Sequence, residues 1–275
     1  MPSMLKRAAC LLCSVAVAFG ASACGTSISV VTNGLAQGPT ITIGVAADQP
    51  GLGYLHGGEY SGFDISVAQY VAKMLGYAQK QVVFKQLTPA ARVSALTDGS
   101  VDMVVDSFTS DDAAGKDVAV SESYLAVHGT LLVRADGTSG ITKTRDANGK
   151  TVCATKGTAV ADSLRNVAAG VAIEERDTYP QCVTALMIGE ADAVATDDAV
   201  AAGLASDAGD EYVKDSGATF GDDEYVIAVR QGRDELIGQI NAALRSMVSD
   251  GTWRQAAETM RQRIGYKADG AGDAS

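Results

Sequence analysis

The sequence predicts an α/β fold with mainly parallel sheets, and two observations predict it. From Thr40 onward, short runs rich in Val, Ile and Leu alternate with longer amphipathic stretches. Alternation of this kind argues for layered α/β architecture, because each helix carries the chain back to begin another strand. The second observation is a shared theme in two blocks. Val101-Asp102-Met103-Val104-Val105-Asp106-Ser107 and Ala191-Asp192-Ala193-Val194-Ala195-Thr196-Asp197 each run from apolar strand into polar residues. Ligands bind outside the carboxyl ends of strands in open α/β sheets, so two such edges facing each other would frame a cleft.

The elements follow in order. Strands are predicted at Ile41 to Ala47, Val82 to Leu87, Val101 to Phe108, Thr130 to Arg134, Thr151 to Thr155, Ala191 to Thr196 and Tyr225 to Arg230. Between Asp64 and Leu75, the residues Val67, Val71, Met74 and Leu75 fall on one helical face. Glu235 to Val248 repeats Leu236, Ile237, Ile240, Leu244, Met247 and Val248 at the same spacing. Gly76 and Gly251 stand just past these periodic stretches, where helices commonly stop.

The N-terminus reads as an export signal. Lys6 and Arg7 form a basic start, Ala8 to Gly20 an apolar run too short to span a bilayer, and Ala21-Ser22-Ala23-Cys24 a small-residue cleavage context ending in cysteine. Residues 1–23 are therefore expected to be a lipoprotein signal peptide, with Cys24 acylated and the domain tethered to the outer face of the cell membrane. An ordinary signal peptide with an incidental Cys24 is the alternative, since Ala21 stands where leucine is usual. Residues 24–38 read as a flexible tether rich in Gly, Ser, Thr and Asn, and 268–275 as a disordered tail.

Removing Lys6 and Arg7 moves the formal charge from −11 to −13, which argues against nucleic acid as a partner. Of five cysteines, Cys10 and Cys13 leave with the signal and Cys24 carries lipid, so Cys153 and Cys182 remain as a disulfide pair or as two buried thiols. No metal site is expected, because His56 and His128 are isolated from each other and from the cysteines. No organic cofactor is expected either, as Gly51 and Gly53 lack the third glycine of a dinucleotide loop.

The order of several short motifs resembles the family 3 extracytoplasmic solute-binding proteins, the amino-acid receptors of ABC importers. The motifs are Ile43-Gly44-Val45 leading to Asp48-Gln49-Pro50-Gly51, Tyr60-Ser61-Gly62-Phe63-Asp64-Ile65, Val101-Asp102-Met103, Lys156-Gly157-Thr158, Val194-Ala195-Thr196-Asp197-Asp198 and Asp250-Gly251-Thr252-Trp253. The subset with Asp-Gln-Pro-Gly, a cysteine pair and Val-x-x-Thr-Asp-Asp is similar to glutamate receptors of high-GC Gram-positive bacteria. This resemblance implies a two-lobed periplasmic-binding-protein fold of type II, with two crossover strands between lobes. Lobe 1 is placed at 39–125 plus 226–267 and lobe 2 at 126–225. It also implies a monomer that captures a small solute by lobe closure and delivers it to a membrane permease.

The same resemblance assigns a ligand set of Asp48, Arg92, Ser107, Thr109, Gly157, Thr158 and Asp197. Gly157 and Thr158 begin a strand-to-helix turn whose N–H groups suit an anion. Asp197 matches the family's ammonium-binding aspartate, with Asp198 the better candidate for capping the next helix. Arg92 falls where acidic-amino-acid receptors carry a side-chain carboxylate ligand; an exposed helix-face arginine is the alternative. One departure stands out: the arginine that clamps an α-carboxylate in the family is replaced by Ala114, next to Asp111 and Asp112, with Lys116 the nearest cation. The expected solute is therefore amine-bearing and polar, with glutamate or aspartate as runner-up. Two other readings stay open: a ligand sensor for a membrane signalling protein, and a dehydratase-like enzyme on the same fold, for which no nucleophile elbow or tuned acid-base pair is visible.

Overall fold

The computed structural model describes residues 39–268. The expected signal peptide, Cys24, the tether and most of the tail lie outside them. Twelve strands and eight α-helices follow one another among the described residues: β1 (Ile41–Val45), β2 (Asp48–Gln49), β3 (Gly53–His56), β4 (Glu59–Ser61), α1 (Phe63–Met74), β5 (Val82–Gln86), α2 (Arg92–Thr97), β6 (Met103–Val104), α3 (Ser110–Ala113), β7 (Val118–Arg134), β8 (Thr151–Thr155), α4 (Val160–Val167), β9 (Ala172–Arg176), α5 (Tyr179–Met187), β10 (Ala193–Asp197), α6 (Asp198–Ala208), β11 (Val213–Asp215), β12 (Phe220–Arg230), α7 (Asp234–Ser249) and α8 (Thr252–Ile264).

One sheet runs β5-β1-β6-β12-β7-β10-β8-β9, with β11 added alongside β7. β1 is parallel to β5 and β6, and β8 is parallel to β9 and β10. The two long strands β7 and β12 are antiparallel to each other and continuous through the middle. One end of the pair joins the β5-β1-β6 half through β12 and β6, and the other joins the β10-β8-β9 half through β10 and β7. These are the two crossovers, and they explain why Thr130 to Arg134 is only the last part of a 17-residue strand. Its Ser, Glu and Tyr residues before Val127 alternate too irregularly to read as a strand from sequence.

Helix α1 buries Phe63, Ile65, Val67, Ala68, Val71 and Ala72 against the first half, but Met74 is 50% exposed and does not share that face. In α7 the apolar stripe holds at Leu236, Ile240, Leu244 and Met247, while Val248 turns out to solvent. Phe63 meets Trp253 edge-on at 5.8 Å, and the Trp253 indole donates to the Tyr124 carbonyl at 2.8 Å, which fixes α8 against the crossover. In the second half a disulfide joins Cys153 of β8 to Cys182 of α5, with Cα atoms 5.4 Å apart and both residues fully buried. Closing a loop of this length is worth roughly 3 to 4 kcal/mol through the unfolded chain. A three-stranded sheet, β2-β3-β4, and the strand β9 were not legible as strands, being short or polar.

Candidate functional site

The site forms where the two halves face each other across the crossovers. From the first half, β6 ends at Val104 and the chain turns through Asp106-Ser107-Phe108-Thr109 into α3. Ser107 has φ 41°, a conformation uncommon for a residue with a side chain. It is held there from both sides: its N–H donates to Asp64 Oδ2 at 2.7 Å, and its hydroxyl accepts from Arg92 Nη2 at 3.3 Å. Asp64 is fully buried at the start of α1 and also accepts from Tyr124 Oη at 3.0 Å. Burial outweighs these donors and raises its pKa to about 6.

Arg92 is fully buried and faces inward. Its Nε lies 3.2 Å from Asp106 Oδ2 and its Nη1 3.0 Å from Asp112 Oδ2, with the guanidinium carbon 5.7 Å from the Phe108 ring centre. Burial works to lower its pKa, but Asp106 and Asp112 outweigh that and hold the cation charged. Sequence reasoning offered solute contact or an exposed helix face; the structure shows instead an internal cation pinned beneath the site loop. Asp48, in β2, is half-buried; burial raises its carboxyl against the pull of its own backbone N–H, the Arg92 charge and the Tyr179 N–H. Neither Arg92 nor Asp48 is among the residues lining the pocket between the halves.

From the second half, β10 delivers Thr196 and Asp197 and β8 delivers the turn at Gly157 and Thr158. Asp197 Oδ1 accepts from Val200 N at 2.9 Å and from Tyr225 Oη at 2.6 Å. Asp197 is thus itself the N-cap of α6, and Asp198, expected in that role, instead accepts from the His128 backbone and ring. Among the described residues no hydrogen bond reaches Asp197 Oδ2, and the residue lines the pocket. Burial leads the causes that raise its pKa to about 7. Next to it, Thr196 Oγ1 is buried without a hydrogen-bond partner.

The Gly157 turn behaves differently from expectation. Gly157, at φ +86°, packs so closely on the first half that an added Cβ would come within 2.5 Å of the Ala90 backbone. It closes the two halves together and does not line the pocket. Thr158 does line it, but its hydroxyl donates back to the Thr155 carbonyl at 2.8 Å. The N–H of Ala159, at the start of α4, donates to Asp112 Oδ1 at 2.6 Å. Thr109 caps α3, its hydroxyl accepting from Asp112 N at 3.1 Å.

The pocket is about 40 Å³ and partly open to solvent, and beside it the Asp112–Ala159 bond and the approach of Gly157 to Ala90 hold the halves in contact. Ser107, Thr109, Thr158, Thr196, Tyr179 and Phe220 line it together with five aspartates, Asp111, Asp112, Asp197, Asp222 and Asp223. Among the described residues no arginine, lysine or histidine lines it. Ala114 and Lys116 line an adjoining groove that also runs between the halves and shares Asp111, Asp112 and Thr158 with this pocket.

A two-lobed α/β molecule with crossing strands and a polar cleft has the architecture of the periplasmic binding proteins. The chain belongs to the bacterial extracellular solute-binding proteins, family 3, whose model matches residues 41–260. It is 30% identical over 265 residues to the glutamate-binding protein GluB of Corynebacterium efficiens, covering 91% of this chain and 88% of that protein. To the ABC transporter glutamine-binding protein GlnH of Bacillus subtilis it is 33% identical over 215 residues, 78% of each chain. An ancestral arginine-binding protein bound to glutamine superposes with a TM-score of 0.74 at 31% identity, covering 84% of this chain and 100% of that one. The fold is the two-lobed type II arrangement of these structures.

Proposed function

We propose that this protein is the substrate receptor of an ABC importer, that its solute is small, polar and amine-bearing, and that a lipid on Cys24 keeps it at the outer face of the cell membrane. The observation that carries the reading is the pocket lining: five aspartates and no basic side chain. A carboxylate taken from water into such a pocket has no cation to meet, whereas an ammonium meets Asp197, whose buried charge is costly until paired. Glutamate, with two carboxylates, is disfavoured on the same ground. The names of the relatives support an amino-acid-like solute and an importer partner. The halves close over the solute by bending at β7 and β12, the change a permease reads.

Calorimetric titration of the ligand-stripped domain tests this. Amines such as putrescine and agmatine should bind in the micromolar range or tighter, and glutamate more weakly. Tight glutamate binding with no response to amines would overturn the reading. Release of the domain from membranes by Cys24→Ser tests the anchor.

A further inference from the structure

Asp112 makes a bridge that neither the amine-reading pocket nor the family match explains. It projects from α3 in the first half, with its side chain 3% exposed. One oxygen, Oδ2, takes the Arg92 guanidinium at 3.0 Å; the other, Oδ1, takes the Ala159 N–H of the second half at 2.6 Å. A carboxylate held between a guanidinium and the N-terminal amide of a helix has the surroundings an anionic ligand group would seek in a closed cleft. Here that carboxylate is covalently part of the chain. The Ala159 N–H at the start of α4 is thereby already taken.

We infer that Asp112 is a specificity-determining residue: its carboxylate takes the Arg92 guanidinium and the Ala159 N–H that a solute carboxylate in this cleft would use, latching the lobes together and selecting solutes that lack that group. A solute carboxylate entering the closed cleft must either displace Asp112, leaving a buried charge unpaired, or sit beside a like charge. An amine without a carboxylate meets neither obstacle. The inference rests on the amine-receptor reading for its ligand half, while the latch stands on the Asp112 contacts alone.

The experiment compares wild type and Asp112→Ala against pairs of an amino acid and its decarboxylated amine: arginine and agmatine, ornithine and putrescine, lysine and cadaverine. In wild type each amine should outbind its amino acid. Asp112→Ala should move that ratio toward the amino acid by roughly tenfold or more, since a buried charge pair commonly governs that much affinity. Ligand-free small-angle scattering is the second readout: Asp112→Ala should expand relative to wild type, and added acetate should restore the compact form by refilling the seat. Expansion and acetate rescue without amine binding by wild type would sink the amine reading and keep the latch. An unchanged ratio together with an unexpanded, acetate-insensitive variant would overturn the inference. Should Asp112→Ala not fold, Asp112→Asn retains an acceptor for the Ala159 N–H and removes the charge facing Arg92. It should then shift the ratio in the same direction by a smaller factor, and an unchanged ratio in that folded variant counts equally against the inference.

Discussion

Tyr225 Oη donates a 2.6 Å hydrogen bond to Asp197 Oδ1, so a residue of the crossover strand β12 holds the carboxylate on which the proposed amine site depends. Tyr225 is fully buried, and its phenol is pushed upward by burial and by the neighbouring Asp197, so it remains a donor throughout the working range of pH. The bond couples the crossover strand to the carboxylate of the proposed amine site. Tyr225→Phe removes it and leaves Val200 N as the remaining donor on Oδ1. A hydrogen bond to a charged group contributes about 1.5 to 3 kcal/mol, so amine affinity at neutral pH should fall roughly tenfold or more. Calorimetry reads this directly, and an unchanged affinity would show that Tyr225 does not orient Asp197.

The acidic interior sets a pH dependence with a definite sign. Burial, the leading cause in each case, raises Asp197 to about 7 and Asp64 to about 6, from an ordinary 3.8. The folded chain therefore keeps protons that the unfolded chain has lost. The stability these protonated carboxyls contribute is complete below about pH 4 and is lost as pH rises through about 6 to 7. Urea denaturation of the ligand-free domain should show stability declining over that rise, with a shallower decline in Asp197→Asn, where asparagine still caps α6. Amine binding runs the opposite way: it favours the charged carboxylate, so affinity tightens as pH climbs through about 7 and binding below that releases a proton. Affinity independent of pH across this window would rule out Asp197 as the ammonium partner.

Arg92 is predicted to matter for folding first. Replacing it with methionine keeps much of the apolar stem but strands Asp106 and Asp112, and removing one partner from a buried ion pair costs about 3 to 5 kcal/mol. The urea midpoint should drop accordingly even without ligand. A variant with unaltered stability that lost only glutamate affinity would restore Arg92 to the role of a solute ligand.

How far the sequence foretold this site follows from the range of each interaction. Asp197 was legible because strand and turn signals are local and place it at a carboxyl edge of the sheet. The destination of Arg92 was not, because its partners Asp106 and Asp112 lie 14 and 20 residues away and nothing local records that they converge. Asp112 carried one signal that went unused: Thr109 followed three residues later by an acidic side chain is a capping-box spacing, and it fixes α3 with Asp112 facing inward. The pattern around Ala114 does not disclose that the neighbouring Asp112 brings its own carboxylate to the helix it faces. The capping roles of Asp197 and Asp198 were exchanged because consecutive aspartates before a helix look alike until the last strand residue is known. The Gly157 turn is legible as a helix start whose N–H groups suit an anion, but its packing is not, since the Ala90 backbone that crowds it is supplied by the other half.

The close approach of the halves offers a final test at Gly203, in the interior of α6. A Cβ there would stand 2.1 Å from the Pro50 carbonyl oxygen of the first half, so closure requires glycine. Within the helix itself alanine is favoured over glycine by about 0.8 to 1 kcal/mol, because it restricts the unfolded chain. Gly203→Ala therefore works in two directions at once. Helix α6 gains, while the closed cleft must shift backbone, at a cost of roughly 1 to 3 kcal/mol typical of overpacking. The expected result is solute affinity lower by about tenfold or more and a ligand-free form expanded in small-angle scattering, with little change in thermal midpoint. A fall in midpoint as large as the fall in affinity would mean that the contact with Pro50 holds the fold together and does not gate closure.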